Sequence, residues 1–537
     1  MSRETFLPSI QTKTTPGPAP GGLGRGLFAS ADVNSGDDIL HIQSPFVAVL
    51  DTQRLEDTCS GCFGRKQLED EAISLRGCTG CQVVKYCDRT CQAKDWKSGH
   101  SLECSIFQKL TPRVLPNNAR AVLRMVLRSG RKKYTSQELD LFVQLETHIR
   151  EIRDENPAQW ERIALSSKAV KAYSGTDMEE ETISAFGAKL DLNSFNLTNV
   201  LYDRVGLYLH PYASLINHSC DYNSVVGFDG DELFIKAVRP IKKDQQIFIS
   251  YIDATNPTHR RKKELRERYF FTCECLKCSN PSPSPNDIQN NLSTPTPTPT
   301  LTLTPAMEAI ERRAYSLLDS SSAATTPETT TTAAATSSEI QSTLIRLLQS
   351  QSKEQQSIIT TQPLISLRDE LIATLIAAGK FKSAFLQAAI RYLRIDPVVY
   401  PYDGHPLRYL HAWALARLAM HLSQHIDAAS PRSGAEAEAE AEAEAEAEAE
   451  RLTGLDFSLV VWVVLRRLLG REEGGCTVPG FRRMVRRAFV EVRGEFVRNG
   501  VDLKGLEGAG MREWGRVEEV VAAVLGEDGN ARELSAR

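Results

Sequence analysis

Twelve cysteines occur in the 537-residue chain, and eleven of them lie before residue 279. Their spacing is that of metal ligands. Cys59-x2-Cys62, Cys78-x2-Cys81, Cys87-x3-Cys91 and His100-x3-Cys104 make four close pairs, eight soft donors in all, enough for two tetrahedral zinc ions. A two-residue gap lets both thiolates grip one ion from a tight knuckle, and a three-residue gap places ligands one helical turn apart. Farther on, Cys273, Cys275 and Cys278 supply three thiolates, one short of a tetrahedral set. Cys220 is the unassigned cysteine of that part of the chain and is expected to complete it. The N-terminus is polar and carries no secretory signal, so close pairs of this kind indicate metal rather than disulfides. The expected compartment is reducing: nucleus, cytoplasm or both.

Cys220 closes the tetrapeptide Asn217-His218-Ser219-Cys220, and β-rich sequence must hold it. Val225 to Phe228, the turn Asp229-Gly230 and Leu233 to Val238 read as a hairpin of β-branched and aromatic residues. Gln246 to Ile252 alternates, so Ile247, Ile249 and Tyr251 share one face. By themselves Tyr251 and His218 read as a packed tyrosine and a satisfied core histidine. Near the N-terminus, Gly21-Gly22-Leu23-Gly24-Arg25-Gly26 leads into another strand. Glycines there let the backbone approach a ligand closely, and a plain hairpin loop explains them equally well. Ile39 to Leu50 reads as strands broken by Pro45.

Residues 105–190 carry a helical pattern. Arg120, Arg124 and Arg128 stand at i, i+4 and i+8, with Arg131, Lys132 and Lys133 beyond them. This stripe reads as a solvated helix face in preference to a nucleic-acid contact. Thr135 and Glu138 form a capping box for a helix that buries Phe142, Leu145, Ile149 and Ile152. Arg260 to Lys263 reads as a charged helix surface rather than an import signal. A net charge of −4 argues against bulk attraction to nucleic acid or anionic membrane, and the longest apolar run, Leu459 to Leu465, is too short to span a bilayer.

The glycine turn, the Asn217–Cys220 tetrapeptide, the strand-borne Tyr251 and the cysteine tail together resemble the SET family of protein lysine methyltransferases. The eight-ligand stretch is similar to a MYND finger, so the resemblance is to the branch with both domains. It covers roughly residues 20–280. It implies an α+β fold: a β-rich SET domain split by a MYND zinc finger and a helical insert, followed by an α-helical, tetratricopeptide-like C-terminal domain. The expected divisions are 1–20 (disordered), 21–58 and 191–252 (SET domain), 59–104 (finger), 105–190 (insert) and 253–278 (post-SET zinc region). A Pro/Thr/Ser linker, 279–339, then leads to a helical region, 340–537, with helix breaks at Gly379 and Pro401. Eight Ala-Glu repeats at 435–450 have no apolar face and read as an acidic spacer.

The resemblance also implies roles. The finger would pair Cys59, Cys62, Cys87 and Cys91 on one ion, with Cys78, Cys81, His100 and Cys104 on another. With the Cys220 set, the total is three Zn2+. S-adenosylmethionine would contact Gly24, Arg25, Asn193, Asn217 and His218, with Phe271 stacking on the adenine or walling the lysine channel. Tyr251 would stand at the transfer point. The substrate would be a lysine of a histone or another protein, and a proline-rich peptide is a further partner for the finger. Neither nucleic acid nor membrane is favoured, and a monomer is expected. The alternative is a non-catalytic zinc-finger adaptor or transcriptional regulator with a vestigial SET domain.

Overall fold

The computed structural model describes residues 10–70, 72–279, 309–310, 312–318, 339–344, 359–424, 447, 450–470 and 474–526. The acidic spacer and most of the linker expected from sequence lie outside these residues. Two compact units form. The first comprises Met1–Ala254, His259–Ser279 and Cys476–Met484; the second comprises Thr255–Thr258, Asn280–Gly475 and Val485–Arg537. Among the described residues no helix is long and apolar enough to cross a membrane.

In the first unit, short strands alternate with a zinc-finger-like insertion and a run of helices. Strands β1 (Ile10–Thr12), β4 (Asp38–Ile42), β12 (Glu232–Ala237) and β11 (Ser224–Asp229) form an antiparallel sheet in the order β1-β4-β12-β11. A second sheet runs β5-β9-β8, from Val47–Leu50, Arg204–Leu209 and Phe195–Thr198. β2 (Thr14–Pro18) pairs with the glycine-rich β3 (Arg25–Ala29), and small β6 (Arg76–Gly77) and β7 (Lys85–Tyr86) pair in the cysteine-rich stretch. β10 (Asn217–His218) runs parallel to β13 (Phe248–Ile249). Residues 10–12 and 14–18, expected to be disordered, are therefore strands. Pro16 and Pro18 are tolerated because β2 sits at the edge of a two-stranded ribbon.

Helices α1 (Arg65–Glu69), α2 (Arg89–Asp95) and α3 (Ser101–Leu110) belong to the cysteine-rich stretch. The helical run follows as α4 (Asn117–Gly130), α5 (Ser136–Val143), α6 (Ile149–Glu155), α7 (Pro157–Ser174) and α8 (Glu180–Asn193). The Thr135–Glu138 capping box opens α5. The apolar spacing through Ile152 implied one helix, but the chain breaks at Gln144–His148. The Lys189 ammonium donates to the Val143 and Leu145 carbonyls, and the Asn193 amide to Glu146 at 3.0 Å. These carbonyls turn outward to side-chain donors, and His148 takes a left-handed backbone, φ 42°.

The arginine stripe of α4 is not solvated. Arg120 donates to the Leu50 carbonyl at 2.6 Å, Arg124 to Ala48 at 3.1 Å and Arg128 to Phe46 at 2.6 Å. The carbonyls of Ala48 and Leu50 on one edge of β5, and of Phe46 just before it, are thereby satisfied by three successive turns of one helix. Strand carbonyls on one edge recur about every 6.7 Å and helical i+4 positions about every 6 Å, so the two repeats nearly match. Both the solvated-face reading and the nucleic-acid reading of these three arginines give way to this edge-capping role.

The segment Cys476–Met484 returns to the first unit, which the continuous helical pattern of 340–537 conceals. Cys476 donates its thiol to the Ala237 carbonyl at 3.2 Å, and Arg483 pairs with Asp229 at 3.2 Å. The second unit is helical. Leu364–Ala377, Phe381–Ile390, Pro406–Gln424, Phe457–Gly470 and Leu503–Val524 supply its main helices, around a buried Arg391–Asp396 pair joined by His411 at 2.8 Å.

Candidate active site and metal centres

Three groups of ligand atoms converge, each within 4.8 Å: Cys59, Cys62, Cys87 and Cys91; Cys78, Cys81, His100 and Cys104; Cys220, Cys273, Cys275 and Cys278. Contacts at the second group include Cys78 Sγ to Cys104 Sγ at 3.8 Å and His100 Nε2 to the Cys78 and Cys81 sulfurs at 3.4 and 3.6 Å. In the first, Cys62 and Cys87 are 3.8 Å apart, and in the third Cys278 and Cys220 are 3.5 Å apart. With Zn–S bonds of about 2.3 Å, a tetrahedron has edges of about 3.8 Å. The spacing and the sulfur-rich donor sets therefore fit zinc.

One thiol of each group is held below its ordinary value, while Cys62, Cys81, Cys87, Cys91, Cys104, Cys220 and Cys273 are pushed up. A hydrogen bond from the Cys62 thiol brings Cys59 down to about 5 from an ordinary 9.0. Burial opposes ionisation of Cys78, yet the backbone N–H groups of Cys81 and Gly80 hold it below the ordinary value. Cys275 is lowered by hydrogen bonds from Cys220 and then Cys273. Arg261 lies against the third group, its Nη2 3.5 Å from Cys278 Sγ. It is the buried member of Arg260–Lys263, a run read as surface. The available signal was its i, i+4 relation to buried Leu265 on α9 (Thr258–Tyr269).

The β11–β12 turn clamps the first metal group. Asp229 pairs with Arg65 at 3.0 Å and Asp231 with Lys94 at 2.5 Å, while Gly230, φ +68°, comes close to the Cys62 carbonyl.

The glycine turn and the Asn217 segment are joined directly. Gly21, Gly22 and Gly24 have φ of 70°, 75° and 68°, and space beyond them is open. The Asn217 amide donates to the Arg25 carbonyl at 3.0 Å and the Leu23 carbonyl at 3.4 Å. Next to them, the buried Gln246 Nε2 has no hydrogen-bond partner, and a Cβ on Gly26 would fall 2.6 Å from it. An orphaned donor beside an open glycine cradle fits a polar ligand there. Gln246 was not singled out from sequence, since a lone glutamine in a strand carries no signal.

Arg25 reaches to Gln144 on the loop after α5. Asn193 stands apart: its amide is taken by the Glu146 and Lys189 carbonyls at 3.0 and 2.8 Å. These two bonds engage both N–H groups of its side-chain amide.

Tyr251 lies just beyond the two-residue β13 rather than within the longer strand expected over 246–252. Its hydroxyl donates to the Ile216 carbonyl at 2.6 Å, and burial pushes its pKa upward, with Tyr269 adding to the effect. The Tyr269 ring, unremarked in the sequence, is 5.0 Å from that of Tyr251. The His218 ring is 5.3 Å from Tyr251 and 5.8 Å from Phe271. Tyr251, His218, Phe271 and the third metal group are thus contiguous. Burial pushes His218 down to about 4, so its ring is neutral at physiological pH.

Sheets interrupted by a cysteine-rich finger and a helical insert surround this tyrosine and its Asn-His-Ser-Cys segment. Residues 24–252 match the SET domain family. Its similarity is to proteins of the SET- and MYND-type. It is 30% identical to histone-lysine N-methyltransferase SMYD3 of Mus musculus, over 48% of this chain and 59% of that one. It is also 30% identical to histone-lysine N-methyltransferase ASHR1 of Arabidopsis thaliana, over 48% and 53%. Identity is again 30% with SET domain and MYND-type zinc finger protein 6 of Schizosaccharomyces pombe, over 48% and 50%. The chain spans little more than half the length of these relatives. The solved SET domain of LSMT bound to lysine and AdoHcy overlaps 90% of this chain at 13% identity, with a TM-score of 0.24, too loose to bear on the argument.

Proposed function

We propose that the chain is a protein-lysine N-methyltransferase that uses S-adenosylmethionine. The observation that carries this reading is the Tyr251 hydroxyl, donated to the Ile216 carbonyl at 2.6 Å directly beside Asn217, whose amide holds the glycine turn. When bound, S-adenosylmethionine supplies an activated methyl group on a cationic sulfonium. The open backbone at Gly21–Gly24 and the unpaired Gln246 amide are the groups available to hold it. Because Tyr251 gives its proton to Ile216, its oxygen remains an acceptor, able to orient the N–H of an incoming lysine amine. The raised pKa keeps the phenol protonated, so its part is orientation and not proton abstraction. Phe271 and Tyr269 provide aromatic walls that exclude water near it.

Three zinc ions would hold the scaffold: two in the finger, and one tying the tail at Cys273–Cys278 back to Cys220. The substrate is a protein lysine, on a histone or another protein, and thiolate sites of this kind suit the reducing nucleus and cytoplasm.

The test is transfer of labelled methyl from S-adenosylmethionine to a panel of proteins by wild type and Tyr251→Phe. Loss of the one hydroxyl should slow transfer by about 10²–10³ while leaving cofactor affinity nearly unchanged. A wild-type chain that fails to bind S-adenosylmethionine overturns the reading in favour of an adaptor.

A further inference from the structure

Both ring nitrogens of His218 are engaged. Nδ1 accepts the backbone N–H of Tyr251 at 3.0 Å, and Nε2 lies 3.3 Å from Cys220 Sγ. A nitrogen that accepts from an amide N–H is bare, so the ring must carry its proton on Nε2. That N–H faces the sulfur. Cys220 is one of the four residues of the third metal group.

The backbone explains why a side chain is needed here. β10 and β13 share only two residue pairs, Asn217 with Phe248 and His218 with Ile249. The ladder ends with Ser219 N–H donating to the Ile249 carbonyl at 3.0 Å. Past Ser219 the chain turns to deliver Cys220 to the metal group, so it leaves no carbonyl for the N–H of Tyr251. The imidazole of His218 supplies the next acceptor in the ladder. Tyr251 is therefore aligned by a ring whose far edge is fastened to a metal ligand.

We propose that His218 is a positioning residue that couples the Cys220–Cys273–Cys275–Cys278 metal set to the placement of Tyr251, donating Nε2–H to the Cys220 thiolate and accepting the Tyr251 N–H at Nδ1. The consequence for methyl transfer rests on the function proposed above; the coupling itself does not. An N–H held against a thiolate draws charge from the sulfur and slows release of its metal. Conversely, a metal-bound Cys220 fixes the ring, and the ring fixes Tyr251. Loss of the third ion would free the imidazole to rotate and unseat Tyr251.

The first measurement uses the zinc-loaded full chain labelled with 15N-histidine. His218 is expected as the tautomer protonated at Nε2 and bare at Nδ1; a ring protonated at Nδ1 overturns the assignment. Two variants then separate the ends of the ring. His218→Asn keeps an acceptor near Nδ1 and loses the donor to sulfur. It should release the zinc that Cys220→Ser lacks about 10–100-fold faster to a chelator, while the Tyr251 amide still exchanges deuterium slowly. His218→Gln keeps a donor near Nε2, so zinc release should stay near wild type while the Tyr251 amide exchanges faster. Variants that change neither property, or a wild type whose Tyr251 amide exchanges no faster once its third zinc is chelated away, overturn the coupling. If wild type transfers no methyl group but these results hold, the coupling stands and only the methyltransferase reading falls.

Discussion

Arg124 grips Glu103 through two parallel bonds, Nε to Oε1 and Nη2 to Oε2, both at 2.7 Å. The same guanidinium donates to the Ala48 carbonyl at 3.1 Å, so one side chain ties the cysteine-rich stretch and the helical insert to strand β5. Glu103 is 1% exposed, and it lies one turn beyond His100 of the second metal group. Arg124→Met leaves that carboxylate buried and unpaired, so a loss of about 3–5 kcal/mol is expected. Replacing both partners, Arg124→Met with Glu103→Leu, should recover only part of it, because Asp95, 2% exposed and 3.3 Å from the same guanidinium, still loses its cation. Arg131→Ala, at an exposed position of the same basic run, should stay within about 0.5 kcal/mol. Denaturant titration of the four proteins decides; equal losses for Arg124 and Arg131 variants would return the stripe to the surface.

Zinc content per chain should be three by elemental analysis, one for each converging group. Cys220→Ser should contain two, with the finger still folded, since its eight ligands belong to separate groups. Two ions in wild type would remove the third site, and one would break the pairing within the finger.

Gly230→Ala should loosen the first metal group from a distance. At φ +68° an alanine carries a strain of about 1–2 kcal/mol, and its Cβ would lie 2.8 Å from the Cys62 carbonyl. The expected result is lower stability together with faster chelation of the zinc held by Cys62. An unchanged chelation rate would show that the turn does not clamp the finger.

Acid should destabilise the first unit through His210. Burial takes this imidazole from an ordinary 6.5 down to about 3, so the unfolded chain binds a proton over that interval and the folded chain does not. The stability it contributes is full above the unfolded value and falls as pH drops from 6.5 towards 3, by about 1.4 kcal/mol per pH unit for one proton. His210→Gln removes the titration. The gap in stability between wild type and variant measured at pH 7 should shift in favour of the variant at pH 4.5. A gap that stays constant with pH would show that His210 does not drive the acid limb.

The local chemistry was legible in the sequence. Ligand pairs with gaps of two and three residues announce metal because the bite of a tetrahedral ion is a local distance, and the eleven residues named from spacing stand, with Cys220 named as the unassigned cysteine, in three groups. The Thr135–Glu138 box is likewise a contact within one turn. The mixed α+β architecture was expected from the family resemblance carried by the glycine turn, the Asn217–Cys220 tetrapeptide, Tyr251 and the cysteine tail. What the sequence could not supply were partnerships between distant segments. The i, i+4, i+8 spacing of Arg120, Arg124 and Arg128 fixes one helix face, yet only tertiary packing brings the Leu50, Ala48 and Phe46 carbonyls to it. The break at Gln144–His148 depends on Lys189 and Asn193 arriving from another helix. His218 reads the same in sequence whether it serves a cofactor or a core. Its proton was assigned by a Tyr251 amide on one side and a Cys220 sulfur on the other, and that placement exists only once β10 and β13 lie side by side.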